Sequence, residues 1–130
     1  KINEFIKKNN KRSIMIKSMG QKFFLSTLKY VDGIIGNSSS GLLEAPSFKI
    51  GTINIGDRQT GRVKSKSIID CDNSKKSIIS SINKLYSSEF KKVLYRVKNP
   101  YDRGSASKKC VMIIKKTRLK NILKKNFYDI

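Results

Sequence analysis

Two short apolar runs closed at both ends by glycine, Gly33-Ile34-Ile35-Gly36 and Gly51-Thr52-Ile53-Asn54-Ile55-Gly56, constrain what this chain can fold into more than any other feature. Each is too brief for a core helix and reads as a strand; the first lacks polar alternation, which predicts burial on both faces. Weaker strands are expected at residues 13–17 (Ser-Ile-Met-Ile-Lys) and 67–70.

The segments between these runs carry helical spacing instead. Residues 2–8 read as the end of a helix, and Phe24, Leu25, Leu28 and Val31 fall on one face of a helix expected over 21–30. Residues 39–48 can be helical only briefly or with a kink, because Pro46 lacks the amide hydrogen and clashes with the preceding turn. Asn73 or Ser74 can cap a helix bearing Ile78, Ile79, Ile82, Leu85 and Tyr86, and Phe90, Val93, Leu94 and Val97 repeat the stripe in a second. Residues 99–104 interrupt it, and a long helix is expected over 105–124 with Val111, Ile114, Leu119, Ile122 and Leu123. This alternation predicts an α/β domain, a parallel sheet with helices on both faces, with no repeat and no second domain boundary.

A length of 130 residues fits one small domain or a piece of a larger one, and no run approaches the roughly 18 apolar residues of a bilayer span, so membrane insertion is not expected. The opening Lys1-Ile2-Asn3-Glu4-Phe5 has no start methionine and no apolar signal core, and reads as mid-protein sequence. With no histidine, the chain lacks the usual neutral-pH acid/base, every histidine metal ligand and every nucleophile–histidine dyad. Cys71 and Cys110 stand 39 positions apart without companion ligands, so neither a zinc site nor a disulfide framework is indicated. A reducing, cytoplasmic setting fits them best.

The formal charge of +20 invites a nucleic-acid reading. Composition argues against it: 23 Lys, 18 Ile and 10 Asn stand beside only 6 Arg and 2 Ala, the excess that A/T-rich codons produce. Lysine is also spread from Lys1 to Lys125 without the interleaved aromatics that base stacking needs. The rival to any nucleotide reading is a non-catalytic basic module that binds RNA or another polyanion through the lysines of residues 105–124.

In a parallel α/β sheet, ligands gather where strand C-termini meet helix N-termini. Gly36-Asn37-Ser38-Ser39-Ser40-Gly41 is such a junction: small residues admit a ligand to the backbone, and serine hydroxyls and free amides suit a phosphate or diphosphate. The bland alternative is an ordinary serine-capped turn. Glu44, just beyond, can accept hydrogen bonds from a vicinal diol such as ribose, or simply be a carboxylate favoured at a helix start. Gly56-Asp57-Arg58-Gln59-Thr60-Gly61-Arg62 places two of the chain's scarce arginines in one glycine-bounded loop, where a planar guanidinium suits a phosphate or a base edge.

The ordered series Gly36-Asn37-Ser38-Ser39-Ser40-Gly41-Leu42-Leu43-Glu44-Ala45-Pro46-Ser47-Phe48, then Thr52-Ile53-Asn54-Ile55-Gly56-Asp57-Arg58-Gln59 and Gly61-Arg62, closely resembles the hydrolysing UDP-N-acetylglucosamine 2-epimerases. The similarity runs from about Ile14 to the tail at residues 127–130 and includes Asn99-Pro100-Tyr101 with Gly104 and Ala106. The chain has neither the Thr-Asp-Ser-Gly-Gly turn nor the Thr-Glu-Arg-Pro-Glu loop of the non-hydrolysing relatives. It departs from the family at Asp102 and Arg103, where glycine usually follows Asn-Pro-Tyr.

This resemblance implies a Rossmann-like domain, the C-terminal half of a glycosyltransferase-B-like pair, with residues 1–130 as the nucleotide-binding domain and the N-terminal domain and the start of this one absent. It implies release of UDP and a 2-epimerised sugar such as N-acetylmannosamine for nonulosonate (sialic or legionaminic acid) synthesis, and a homo-oligomer. By position it assigns Ser38 and Ser39 to the diphosphate, Glu44 to the ribose hydroxyls, Arg58 to the nucleotide pocket, the Met19 backbone to uracil and Phe24 to the pocket wall, although Phe24 also fits a plain core role. No catalytic residue, cofactor or metal is expected in this chain, since the family's acidic catalytic groups and its histidine belong to parts of the protein preceding it.

Overall fold

The computed structural model describes residues 1–118. Its elements run α1 (Ile2–Lys8), α2 (Gly20–Thr27), β1 (Gly33–Gly36), α3 (Ser40–Leu43), a 3-10 helix (Ala45–Phe48), β2 (Gly51–Ile55), β3 (Ile68–Cys71), α4 (Lys75–Tyr86), α5 (Ser88–Tyr95) and α6 (Ala106–Lys116). The chain forms two compact units, Lys1–Pro100 and Tyr101 onward, divided inside the 99–104 interruption where the sequence showed no domain boundary.

The first unit holds a parallel sheet in the order β1-β2-β3, with Gly33 opposite Gly51 and Thr52 opposite Ile68. The central strand β2 has both neighbours; Ile53 and Ile55 face one apolar cluster, and the buried polar Thr52 and Asn54 alternate with them on the other side. On one face Ile53 packs with Ile69, Leu85 and Phe90, so α4 and α5 cover that side. On the other, Leu28, Ala45 and Ile50 join Phe24, Leu25, Val31, Ile34 and Phe48, drawn from α2, β1, the 3-10 helix and the connections beside them. Burying each such aliphatic side chain contributes about 1.5–3 kcal/mol, and the two clusters clamp the strands between helices on both faces.

The caps explain where the helices begin. The Ser74 hydroxyl accepts from the Ser77 amide at 3.2 Å and opens α4; Ser87 does the same for Phe90 at the start of α5. Helix α2 ends at Thr27, short of the expected 30, as its last turn tightens through Lys29 to Ser26 and Tyr30 to Thr27 bonds.

Two expectations are corrected and a third is met. Residues 13–17 form no strand: Ile14, Met15 and Ile16 are exposed, and the segment has no ladder partner among the described residues. Strand β1 is not buried on both faces: among the described residues it pairs with β2 alone, and Ile35 is 53% exposed; β2, with four of its five residues buried, is the interior strand. The expected 39–48 helix is four α-helical residues followed by the 3-10 helix, as Pro46 requires.

In the second unit, α6 stops at Lys116, with Thr117 extended; residues 119–124 of the expected helix and the 127–130 tail lie outside the described residues. Before it, Gly104 and Ser105 take positive φ of 61° and 53°, and the Asp102 carboxylate accepts from the Gly104 amide at 3.3 Å. The backbone reversal of this loop therefore rests on Gly104 and Ser105, two and three residues past the point of departure from the family.

Candidate functional site

The polypeptide leaves β1 at Gly36, whose φ of 147° is open to glycine and rarely to other residues, and turns through 37–39 into α3. Helix α3 is held down from below. The Thr52 hydroxyl of β2 donates to the Gly41 carbonyl at 2.9 Å, and both residues are buried.

The turn itself is under-bonded. The Ser38 and Ser39 amides have no hydrogen-bond partner among the described residues, and the Ser40 amide reaches only the Ser38 hydroxyl, at 3.4 Å. Ser38 is exposed and Ser39 partly so. With four residues, α3 is too short to build a substantial macrodipole, so affinity for an anion here must come from these free N–H groups and hydroxyls.

Glu44 is not on the first turns of a long helix: it ends α3 and opens the 3-10 helix. Its side chain is half-buried, and Oε2 is buried without a hydrogen-bond partner. A buried carboxylate oxygen without a donor is costly to maintain, and one that accepts a ligand hydroxyl is not.

Arg58 is exposed at the far end of β2. It belongs to a compact turn in which Thr60 donates to the Asp57 carbonyl at 2.8 Å and Arg62 to the Gln59 carbonyl at 3.4 Å. Gln59 is 2% exposed, and its Nε2 donates to the Asn37 carbonyl at 2.7 Å. That one bond joins the arginine loop to the serine turn.

Met19 is partly buried at the N-cap position of α2, and Phe24 packs against the Leu28–Ala45–Ile50 cluster, as the core role anticipated. The structure thus joins the serine turn and the Arg58 loop through Gln59 and sets Glu44 at the end of α3, while Met19 caps α2 and Phe24 lies within it.

The surrounding charges narrow where an anion can sit. A hollow of about 570 Å³ at the C-terminal ends of β2 and β3 is lined by Asp57, Asp70 and Asp72 as well as Lys64. Burial raises the Asp70 pKa, but hydrogen bonds from Lys64 and Asn54 outweigh it and hold the carboxyl below its ordinary value. Asp72 is lowered by its hydrogen bonds with Ser74. With three carboxylates against one lysine, this hollow disfavours a phosphate. A second hollow of similar volume, lined by Lys64, Lys66, Lys92, Arg96 and Lys98, shares no residue with either loop. Among the described residues no group of three or more Cys, Asp or Glu could hold a metal, and no helix is long and apolar enough to cross a membrane.

A family profile described as UDP-N-acetylglucosamine 2-epimerase matches residues 1–115. The chain belongs to this family. Similar proteins within reach of it include polysialic acid biosynthesis protein P7 of Escherichia coli, 46% identical over 114 residues, which is 87% of this chain and 29% of that protein. The GDP/UDP-N,N'-diacetylbacillosamine 2-epimerase (hydrolyzing) of Campylobacter jejuni is 39% identical over 130 residues, 99% of this chain and 33% of that one. The UDP-N-acetylglucosamine 2-epimerase of Neisseria meningitidis is 36% identical over 81 residues, covering 62% and 22%. The chain therefore spans about a third of the length of the relatives it matches most fully.

In this chain of the 2-epimerase family, three residues that sequence reasoning left without a role tie the loops and strands together. Gln59 bridges the loops, and Asn54, 1% exposed, donates to Asp70 at 2.7 Å. Asn99 donates to the Leu43 carbonyl at 2.8 Å and the Ser47 hydroxyl at 2.7 Å, and so ties down both ends of the segment that carries Glu44. A polar side chain within an otherwise strand-like run was the available signal for Asn54; Gln59 and Asn99 stand within the family series, which gave neither of them a role.

Proposed function

We propose that residues 1–130 are the UDP-binding part, the C-terminal nucleotide-binding domain, of a hydrolysing 2-epimerase acting on UDP-N-acetylglucosamine or a related UDP-acetamidosugar. One observation carries the reading: the turn after β1 leaves the Ser38 and Ser39 amides without partners, and the same segment buries an unpartnered Glu44 Oε2. Donors for a diphosphate and an acceptor for a ribose hydroxyl are what a nucleoside diphosphate requires. Family membership, the polysialic acid biosynthesis protein at 46% identity and the hydrolysing 2-epimerase at 39% support the same assignment.

In this reading Ser38 and Ser39 hold the diphosphate and Arg58 offsets its charge. The Met19 backbone faces uracil, and the half-buried Phe24 ring walls that pocket. Elimination breaks the bond from C1 to the UDP oxygen as a proton leaves C2, and water then adds to the glycal with inverted C2 configuration. The products are UDP and a 2-epimerised sugar such as N-acetylmannosamine, a precursor for nonulosonate synthesis. The groups here stabilise the leaving diphosphate. The acid/base pair belongs to an N-terminal domain in a glycosyltransferase-B-like pairing, so this chain binds UDP weakly and catalyses nothing alone. Two free cysteines, Cys71 and Cys110, fit a cytoplasmic setting, and the same reading assigns the full-length protein to a homo-oligomer.

The test is calorimetric titration of the chain with UDP, and with an unrelated oligonucleotide, at two salt concentrations. Saturable UDP binding that weakens in Ser39→Ala and Arg58→Ala supports the reading. Undiminished binding in both variants defeats it, and oligonucleotide binding that persists at high salt replaces it with the basic-module alternative.

A further inference from the structure

We propose that Gln59 is the positioning residue of the nucleotide site, holding the arginine loop and the serine turn as one rigid unit and orienting the Ser38 amide. The inference rests on the UDP reading above and adds to it the part that sets the geometry.

The burial of Gln59 is anomalous for its place. Gly56, Asp57, Arg58, Thr60, Gly61 and Arg62 are all exposed, yet Gln59 is 2% exposed. A long amide is not withdrawn from water unless a bond compensates it. That bond is the 2.7 Å contact from Nε2 to the Asn37 carbonyl, across 22 positions of sequence. The other end, Oε1, is buried without a partner. Reversing the amide would press Oε1 against the Asn37 oxygen, so the donor end is committed to this bond.

Peptide geometry carries the effect to the site. The Asn37 carbonyl and the Ser38 N–H belong to one planar peptide unit, and there is no cis bond among the described residues. In a trans peptide the two groups point in opposite directions. Fixing the carbonyl on Gln59 therefore aims the Ser38 N–H away from Gln59, and that N–H is one of the free donors of the turn. Arg58 directly precedes Gln59, so the same bond limits how far the guanidinium's backbone can move from Ser38. Neither loop could shift alone without leaving the Asn37 carbonyl and the buried Gln59 amide without each other.

Gln59→Met keeps the volume of the side chain and removes the donor. In the full chain we expect UDP affinity to fall about tenfold, the consequence of losing one such hydrogen bond. We also expect the Ser38 and Arg58 amide signals in the 1H–15N spectrum of the UDP-free protein to shift together. The double variant with Arg58→Ala should lose less than the product of the two single losses, since the latch acts through the arginine. Gln59→Glu provides the second arm: a protonated carboxyl donates to Asn37 as the amide does, so affinity relative to wild type should recover as the pH is lowered and the side chain becomes neutral. A lower melting temperature with unchanged UDP affinity in Gln59→Met, or strictly multiplicative losses, overturns the proposal. If the wild-type chain binds no UDP, the function reading fails, and the latch is then judged by the Ser38 and Arg58 signals alone: if they stay in place in Gln59→Met, the latch fails as well.

Discussion

A Cβ built on Gly41 would lie 2.4 Å from the Thr52 methyl carbon, closer than any real contact, while the Thr52 hydroxyl donates to the Gly41 carbonyl at 2.9 Å. Strand β2 therefore holds the segment that follows the serine turn both by a hydrogen bond and by the absence of a side chain. Gly41→Ala should destabilise the fold by about 1–3 kcal/mol through overpacking. Urea denaturation measures it. Adding Thr52→Ser, which keeps the hydroxyl and deletes the methyl, should restore part of the loss; no recovery would show that the clash is not with Thr52.

The serine turn and Arg58 make separable contributions to an anion. Arg58→Ala removes a charge-assisted contact and should weaken UDP binding roughly tenfold or more, whereas Ser39→Ala removes one neutral donor and should cost several-fold. Isothermal titration at fixed ionic strength reads both. Equal losses in the two variants would contradict the assigned roles.

Asn99 acts at a distance from the ligand. Its amide holds the Leu43 carbonyl and the Ser47 hydroxyl, so Asn99→Ala should lower stability by about 1–2 kcal/mol. Asn99→Asp should be worse, because a carboxylate oxygen would face the Leu43 carbonyl. Denaturation midpoints compare the two.

The pairing of Asp70 with Lys64 and Asn54 sets an acid limit. Burial raises the Asp70 pKa and the two hydrogen bonds lower it further, so the folded value lies below that of the unfolded chain. A depressed carboxylate contributes stability above its unfolded pKa, near 4, and loses it as pH falls through the folded value. The stability difference between wild type and Asp70→Asn should therefore be present at pH 6 and shrink below about pH 4. A difference that grows in acid would reverse the sign. Because the Asp70 side chain is 53% exposed, salt should diminish the effect.

Much of this was legible from the residues themselves. The stripes of Ile78, Ile82 and Leu85 and the Ser74 cap announced α4, and glycine at both ends announced β1 and β2. Pro46 announced the early end of α3. The segment 13–17 misled because its apolar alternation is only a disposition to pair, and a strand exists where another strand accepts its hydrogen bonds. Likewise Ile35 was read as buried when β1 lies at the sheet edge. Ser38, Ser39, Glu44 and Arg58 could be named from their chemistry; that Gln59 would reach Asn37 could not.

What the order of amino acids determined on its own is local: helical period, cap chemistry, glycine and proline punctuation, and the family signature across 36–62. Each depends on neighbours within a few positions, so the chain carries it before any distant contact forms. What only the tertiary structure decided is which strand became central, which glycine met a methyl group and which amide crossed 22 positions to a carbonyl. Those outcomes depend on strand pairing and packing between remote segments, whose geometry no single stretch of sequence encodes.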